Sequence, residues 1–150
     1  MSDRPPLSQE PSTQPFDPAG AGWRVRDDEP GLMTLVGPLW QHAGGEDPRF
    51  GFVAEEKHLN RRGVVHGGML MAFADQALGL TAREVKGGLP QATIQLDTQF
   101  IAPVCIGEFV EVTPQAVRST RSILFMRGTL VVGERTVASA QGIWKVLKEG

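Results

Sequence analysis

The sequence predicts an α+β fold, one antiparallel sheet wrapped round a single long helix. Two stretches carry that expectation. Residues 67–82, GGMLMAFADQALGLTA, hold one charged residue and are otherwise apolar or small. The run is too long for a usual strand, and Met, Leu and Ala favour helix. From residue 91 onward the chain alternates and turns instead, in four strand-like runs joined mostly by short connections.

In chain order, residues 1–21 are rich in Pro, Ser, Gln and Asp, with Leu7 and Phe16 as the sizeable apolar residues. Such a segment buries too little surface to offset its ordering entropy, so a flexible tail is expected there. Residues 22–150 then form one domain, as much as 150 residues readily supply. Trp23, Val25, Leu32, Met33, Leu35, Val36, Leu39 and Trp40 bring a new texture, which Pro30 and Pro38 divide into a helical turn and a packing segment. HAGGEDPR at 42–49 is turn chemistry, and FGFVAEE at 50–56 reads as a strand. The helix follows, weakened slightly by Gly79 and stopped by GGLP at 87–90.

Beyond that stop, QATIQLDTQFI at 91–101 alternates. Ala92, Ile94, Leu96, Thr98 and Phe100 share one face; Gln91, Thr93, Gln95, Asp97 and Gln99 share the other. The strand EFVEVTPQAVR at 108–118 contains Pro114, which marks an edge or a bulge. SILFMRGTLVV at 122–132 leads through VGER, a hairpin turn, into RTVASAQGIWKVL. In that last strand Ala138, Ala140 and Gly142 fall on one face, where a thick helix can lie close. A helix that is apolar all round cannot be covered by one sheet. A second copy of the chain is expected to complete the cover.

Composition excludes several function classes. The 15 basic and 17 acidic residues leave a formal charge of −2, with no arginine-rich arm or lysine run to follow a phosphate backbone. Tyr is absent, so no nucleic-acid partner is expected. No run reaches membrane-spanning length and no N-terminal apolar leader appears, so no membrane partner is expected. Cys105, alone, forms no internal disulfide and suits a reducing cytoplasm, the expected location.

The chemistry concentrates between residues 58 and 75. A carboxylate in an apolar helix must be paired, hydrogen-bonded or held neutral, which singles out Asp75. A helix Asp that bonds nearby backbone or sits at a subunit contact would satisfy the same demand. His66-Gly67-Gly68 stands where a helix begins, and the first N–H groups of a helix lack internal partners and face its positive end. Two glycines there leave room for an anion or a developing oxyanion, or simply let the chain enter a crowded helix. Nine residues separate His66 from Asp75, about 13 Å along a helix and roughly half a turn out of phase. Serving one site, they would more easily do so from different subunits. His58, His66 and Asp75 match no compact zinc pattern, and no metal is expected. No G-x-S-x-G elbow, P-loop or strand-first G-x-G-x-x-G occurs. Cys105, in a Pro/Gly turn without a paired base, reads as a bystander thiol.

The pattern H-x-N-x-x-G-x-x-H-G-G-x-x-x-x-x-x-D, His58 through Asp75, resembles the signature of hotdog-fold acyl-CoA thioesterases. The nearest group is that of the 4-hydroxybenzoyl-CoA and phenylacetate-degradation thioesterases, and the likeness runs from about residue 35 to 146. The resemblance implies a curved antiparallel sheet round one central helix, paired into dimers or tetramers, and an acyl-CoA substrate. It implies Asp75 as general base or nucleophile, Gly67 as the backbone donor that polarises the thioester carbonyl, and His66 as the residue that positions that carbonyl. Asn60 would orient water or the thioester from the facing subunit. Thr93 falls where relatives place a hydroxyl beside the acid, although alternation sets it on the polar face of its strand. Arg118, Ser119, Thr120, Arg121 and Ser122 would bind the CoA nucleotide, unless they form an ordinary polar hairpin. Arg61 and Arg62 would extend the same positive rim. No cofactor is implied, because CoA arrives as part of the substrate.

Two further readings share the fold: an acyl-CoA-binding module without turnover, and hydration or dehydration of an acyl-CoA. The intact Asn60, His66, Gly67 and Asp75 set argues against the first, and the expected hydratase motif does not appear. Met69, Met71, Phe73 and Leu78 suggest an apolar acyl pocket, open to aryl, arylacetyl or medium-chain groups, though a core helix needs the same residues.

Overall fold

Antiparallel strands bend round the apolar run that the sequence marks as a helix. The computed structural model describes residues 14–148. Its elements are β1 (Trp23–Arg26), α1 (Leu32–Val36), β2 (Leu39–His42), β3 (Phe50–Val53), α2 (Gly67–Val85), β4 (Gln91–Phe100), β5 (Phe109–Val112), β6 (Gln115–Ser119), β7 (Ile123–Val132) and β8 (Arg135–Val146). The strands form one sheet in the order β1-β2-β3-β5-β7-β8-β4, with β6 also paired to β7. Among the described residues every strand pairing is antiparallel.

The central helix begins at Gly67 as expected and runs three residues past Ala82. Its buried residues are Met69, Leu70, Phe73, Ala74, Ala77, Leu78, Thr81 and Ala82, a stripe of helical period laid on the concave face of the sheet. Phe52, Val110, Leu124, Met126, Leu130 and Trp144 meet that stripe from the strands. Ala138, Ala140 and Gly142 are buried on β8, the small face where the helix was expected to lie close. Part of the remaining helix surface is covered by the chain itself. The loop after β1 reaches α2, where Gln76 Nε2 donates to Glu29 Oε2 at 2.5 Å.

Two differences from expectation have physical causes. The segment at 22–41 holds two strands as well as the expected helical turn, because WRVR and LWQH pair with each other and β2 pairs with β3. The single strand expected at 108–118 is broken by Pro114 into β5 and β6, and both pieces stay on β7, so the proline interrupts the ladder without re-routing the chain. Of the segment expected as a flexible tail, residues 14–21 are described and all but Pro18 are exposed. The Phe16 ring stacks on Phe109 at 4.7 Å, its N–H donates to the Gly107 carbonyl at 3.0 Å, and Ala19–Ala21 makes a 3-10 turn. Leu7 and the remainder of the expected tail lie outside the described residues.

At the far edge of the sheet, β4 carries an irregularity that matters for the site. Thr93 pairs with Trp144 and Gln95 with Ile143, leaving Ile94 as the extra residue of a β-bulge. The bulge reverses the alternation. Gln91 and Thr93 bond α2 from the inner side, Ile94 turns outward at 56 % exposure, and Leu96 packs on the core again.

Candidate active site

Asp75 lies on the flank of α2, half-buried beside the core stripe. Its Oδ1 accepts a hydrogen bond from Thr93 Oγ1 at 2.7 Å. The bulge at Ile94 makes the contact possible: strict alternation would put Thr93 opposite the face that Leu96 presents to the core. The need of a lone helix carboxylate for a partner is therefore met by a hydroxyl from the edge strand. Among the described residues, Oδ2 makes no hydrogen bond.

A cleft of about 370 Å³ opens beside this pair, walled by Arg26, Glu29, Gln76, Gly79 and Trp144 among others. The walls are largely polar and internally bonded. Arg26 donates to Glu29 at 3.2 Å, to Gln41 at 2.8 Å and to Asp28 at 2.9 Å. Met69, Phe73 and Leu78, suggested as the walls of an apolar pocket, are core residues instead and do not line this cleft. Met71 is partly exposed elsewhere on the helix.

The N-terminus of α2 is a separate cluster. His66 is the N-cap, and its Nδ1 accepts the Gly68 N–H at 2.7 Å. That bond closes one of the two N–H groups that the glycines were expected to leave open. Of the two, only the Gly67 N–H has no partner among the described residues. A side chain at Gly67 would start 3.1 Å from the Phe100 ring, so glycine is what fits beneath that ring. Asn60 builds the preceding turn: its Oδ1 accepts from the Arg62 N–H at 2.8 Å and, at 3.4 Å, from Val64. His58 is structural. Its Nδ1 accepts from Glu55 N–H at 2.9 Å, while Nε2 donates to the Val36 carbonyl at 2.5 Å, tying the end of α1 to this loop.

The fold thus gathers the expected residues into two groups. Asp75 and Thr93 meet; Asn60, His66 and Gly67 surround the helix start, about 12–13 Å away along the axis. The segment from Arg118 to Ser122 sits at the opposite end of α2, where Lys86, the C-cap, donates to the Thr120 carbonyl. Thr120 Oγ1 closes the turn with Ile123, and among the described residues Arg118 and Arg121 form no ion pair. Arg61 and Arg62 are exposed beside the Asn60 turn.

Cys105 does not line the cleft beside Asp75. Burial, and then the charge of Glu108, push its thiol above the usual cysteine range, which suits a bystander.

Sequence reasoning missed Gly79 and Trp144 as parts of the cleft. Gly79 looked like a weak point in a helix, and Trp144 passed as one residue of the last strand-like run. The one available signal was their joint position, a glycine one turn after the acid on the same helix face.

Residues 62–139 match the family described as the thioesterase superfamily. The chain is 34 % identical over 117 residues to a Pseudomonas aeruginosa protein whose name marks it provisionally as an esterase, a match covering 75 % of this chain and 86 % of that one. It is 24 % identical over 71 residues to acyl-coenzyme A thioesterase 13 of Mus musculus, 47 % of this chain and 51 % of the mouse protein. A phenylacetic acid degradation protein of Thermus thermophilus, solved as a point mutant, superimposes with a TM-score of 0.69 at 26 % identity, over 77 % of this chain and 98 % of that chain. With α2 and β4 to β7 inside the matched span, this chain belongs to the thioesterase superfamily, carries its hotdog fold, and has thioester hydrolysis as its class of chemistry.

Proposed function

We propose that the protein hydrolyses an acyl-CoA thioester at a site made jointly by two copies of the chain. The observation that carries the reading is the Thr93–Asp75 hydrogen bond at 2.7 Å, with the open Gly67 N–H eight residues earlier, about 12 Å along the helix axis and out of reach. Neither cluster is a complete hydrolytic site. One has an acid without a backbone donor for the carbonyl; the other has a donor without an acid. Brought together from two copies, they supply both.

In this reading the thioester carbonyl oxygen accepts from Gly67 N–H of one copy, at a helix N-terminus whose dipole favours the developing negative charge. Asp75 of the other copy acts from its free oxygen, as general base on water or as nucleophile. Attack forms the tetrahedral species, and its collapse breaks the carbon–sulfur bond. The leaving sulfur takes a proton, and water supplies the oxygen of the free acid. Thr93 holds the carboxylate's other oxygen. His66 positions the turn, and Asn60 holds it while its amide faces the substrate.

Arg118 and Arg121, which form no ion pair among the described residues, are proposed to meet the CoA phosphates together with Ser119, Thr120 and Ser122. The exposed edge strand β4, with Ile94 and Phe100 uncovered, is the proposed pairing surface of a dimer; pairs of dimers would make the tetramer. The mechanism calls for no cofactor or metal, and cytoplasm is the proposed location. The name of the mouse relative supports CoA as the carrier.

A panel of acyl-CoAs with a thiol reporter tests the reading. Free CoA should appear with the native chain and fall to background with Asp75→Asn. If Asp75→Asn keeps pace with the native chain on every substrate, the proposed chemistry is wrong. Tight acyl-CoA binding without release by the native chain would instead mark a binding module.

A further inference from the structure

The cleft beside Asp75 contains a hydrogen-bond donor that the fold itself leaves unused. Trp144 is 2 % exposed, and its Nε1–H has no partner among the described residues. With no acceptor supplied by the described residues, that donor is left to water or to a ligand in the cleft. Trp40 Nε1 is also unpaired but sealed from solvent; Trp144 Nε1 is not sealed. It lies 3.2 Å from where a side chain on Gly79 would begin, and both residues line the cleft with Asp75 and Thr93.

Placement relative to the acid is tight. Trp144 is the cross-strand partner of Thr93, which bonds Asp75. Gly79 follows Asp75 by one helical turn on the same face. The missing side chain at 79 is therefore what keeps the indole N–H open toward the space next to the carboxylate. Gln91, on the same wall, has its Nε2 committed to the Ala82 carbonyl at 2.8 Å and its Oε1 sealed from solvent, so neither is open to a ligand. A plain hydrocarbon chain would leave the indole N–H unsatisfied on binding, which disfavours it.

We propose that Trp144 Nε1–H is a specificity-determining donor that takes an acceptor oxygen on the acyl group, roughly one helical turn (about 5–6 Å) from the thioester carbon. The inference rests on the reading of Asp75 as the residue that acts on that carbon. The substrate class is then short acyl groups bearing a keto, hydroxyl or ether oxygen toward the far end, in preference to unsubstituted fatty chains of equal length.

The test is a matched pair, hexanoyl-CoA and 5-oxohexanoyl-CoA, compared by the ratio of their kcat/KM values. The native chain should prefer the oxo substrate by about tenfold. Trp144→Phe keeps a ring and removes the donor; Gly79→Ala keeps the donor and covers it with a methyl group, leaving no core cavity. Each should bring the ratio close to one, whatever it does to the hexanoyl value itself. An unchanged ratio in both variants overturns the proposal. So does an equal loss on both substrates, which would assign the donor to the pantetheine arm that they share. Calorimetric affinities for the same pair, measured on Asp75→Asn with and without Trp144→Phe, repeat the comparison without turnover. If Asp75→Asn still hydrolyses, the reading of the acid fails by itself; if the affinity ratio ignores Trp144, the donor fails by itself.

Discussion

Thr93 and Asp75 meet because one residue between Thr93 and Gln95 has no partner on β8. The extra residue, Ile94, turns the Thr93 hydroxyl inward, where it donates to Asp75 Oδ1 at 2.7 Å. Removing the acid and loosening it should have different consequences. Asp75→Asn is expected to lower kcat by about 100- to 10,000-fold. Thr93→Val, which keeps the shape and drops the donor, should lower kcat by about tenfold, and Thr93→Ser should restore most of it. Steady-state kinetics with a thiol reporter measure all three.

The Gly67 N–H can be removed almost alone. Proline is tolerated at the first position of a helix, and His66 already has the extended backbone that a following proline requires, with φ −60 and ψ 134. Gly67→Pro should lower kcat by about 100- to 1,000-fold, with far-UV circular dichroism preserved. The Phe100 ring must yield slightly.

Those two inactive variants also test whether the site is shared. When Asp75→Asn and Gly67→Pro chains are co-refolded in equal amounts, half of the dimers should be mixed, each with one complete site. Activity should recover to about a quarter of native, as two-fold symmetry requires. No recovery would place acid and donor in the same copy.

Cys105 should be slow to react. Burial and the nearby Glu108 charge raise its pKa, so at a given mildly alkaline pH the folded chain holds less thiolate than the unfolded one. Alkylation by iodoacetamide should therefore accelerate on adding urea. In the folded state, Glu108→Gln should also speed it, because a negative charge beside the thiol is gone.

Phe16 anchors the segment that leads into β1. Its ring is 42 % exposed yet stacked on Phe109, so Phe16→Ala should lower stability by about 1–2 kcal/mol. A lower urea midpoint with an unchanged slope would show it.

How much of this was legible in the sequence differs from element to element. The helix was plain, because a charge-poor run rich in Met, Leu and Ala between Gly-rich stops has few other solutions. β1 and β2 were hidden: four residues each, with Arg24 and Arg26 on one, they carry too short an alternation to stand out and exist because they pair with each other. The face of Thr93 was misread, since nothing in QATIQ marks the bulge, and a single extra residue reverses every inference from alternation. Asp75 and Gly67 could be named from local pattern, as acid and helix start. Trp144 could not, because its significance depends on a gap in another element, the missing side chain of Gly79.

That gap has a practical side. Replacing a mid-helix glycine with alanine is a standard move for raising thermal stability, and Gly79 would rank high in any such screen. Here the added methyl would stand 3.2 Å from the Trp144 Nε1, on the wall of the cleft. Because the buried indole must shift by a few tenths of an ångström to admit it, melting temperature alone does not report what the change does to the site.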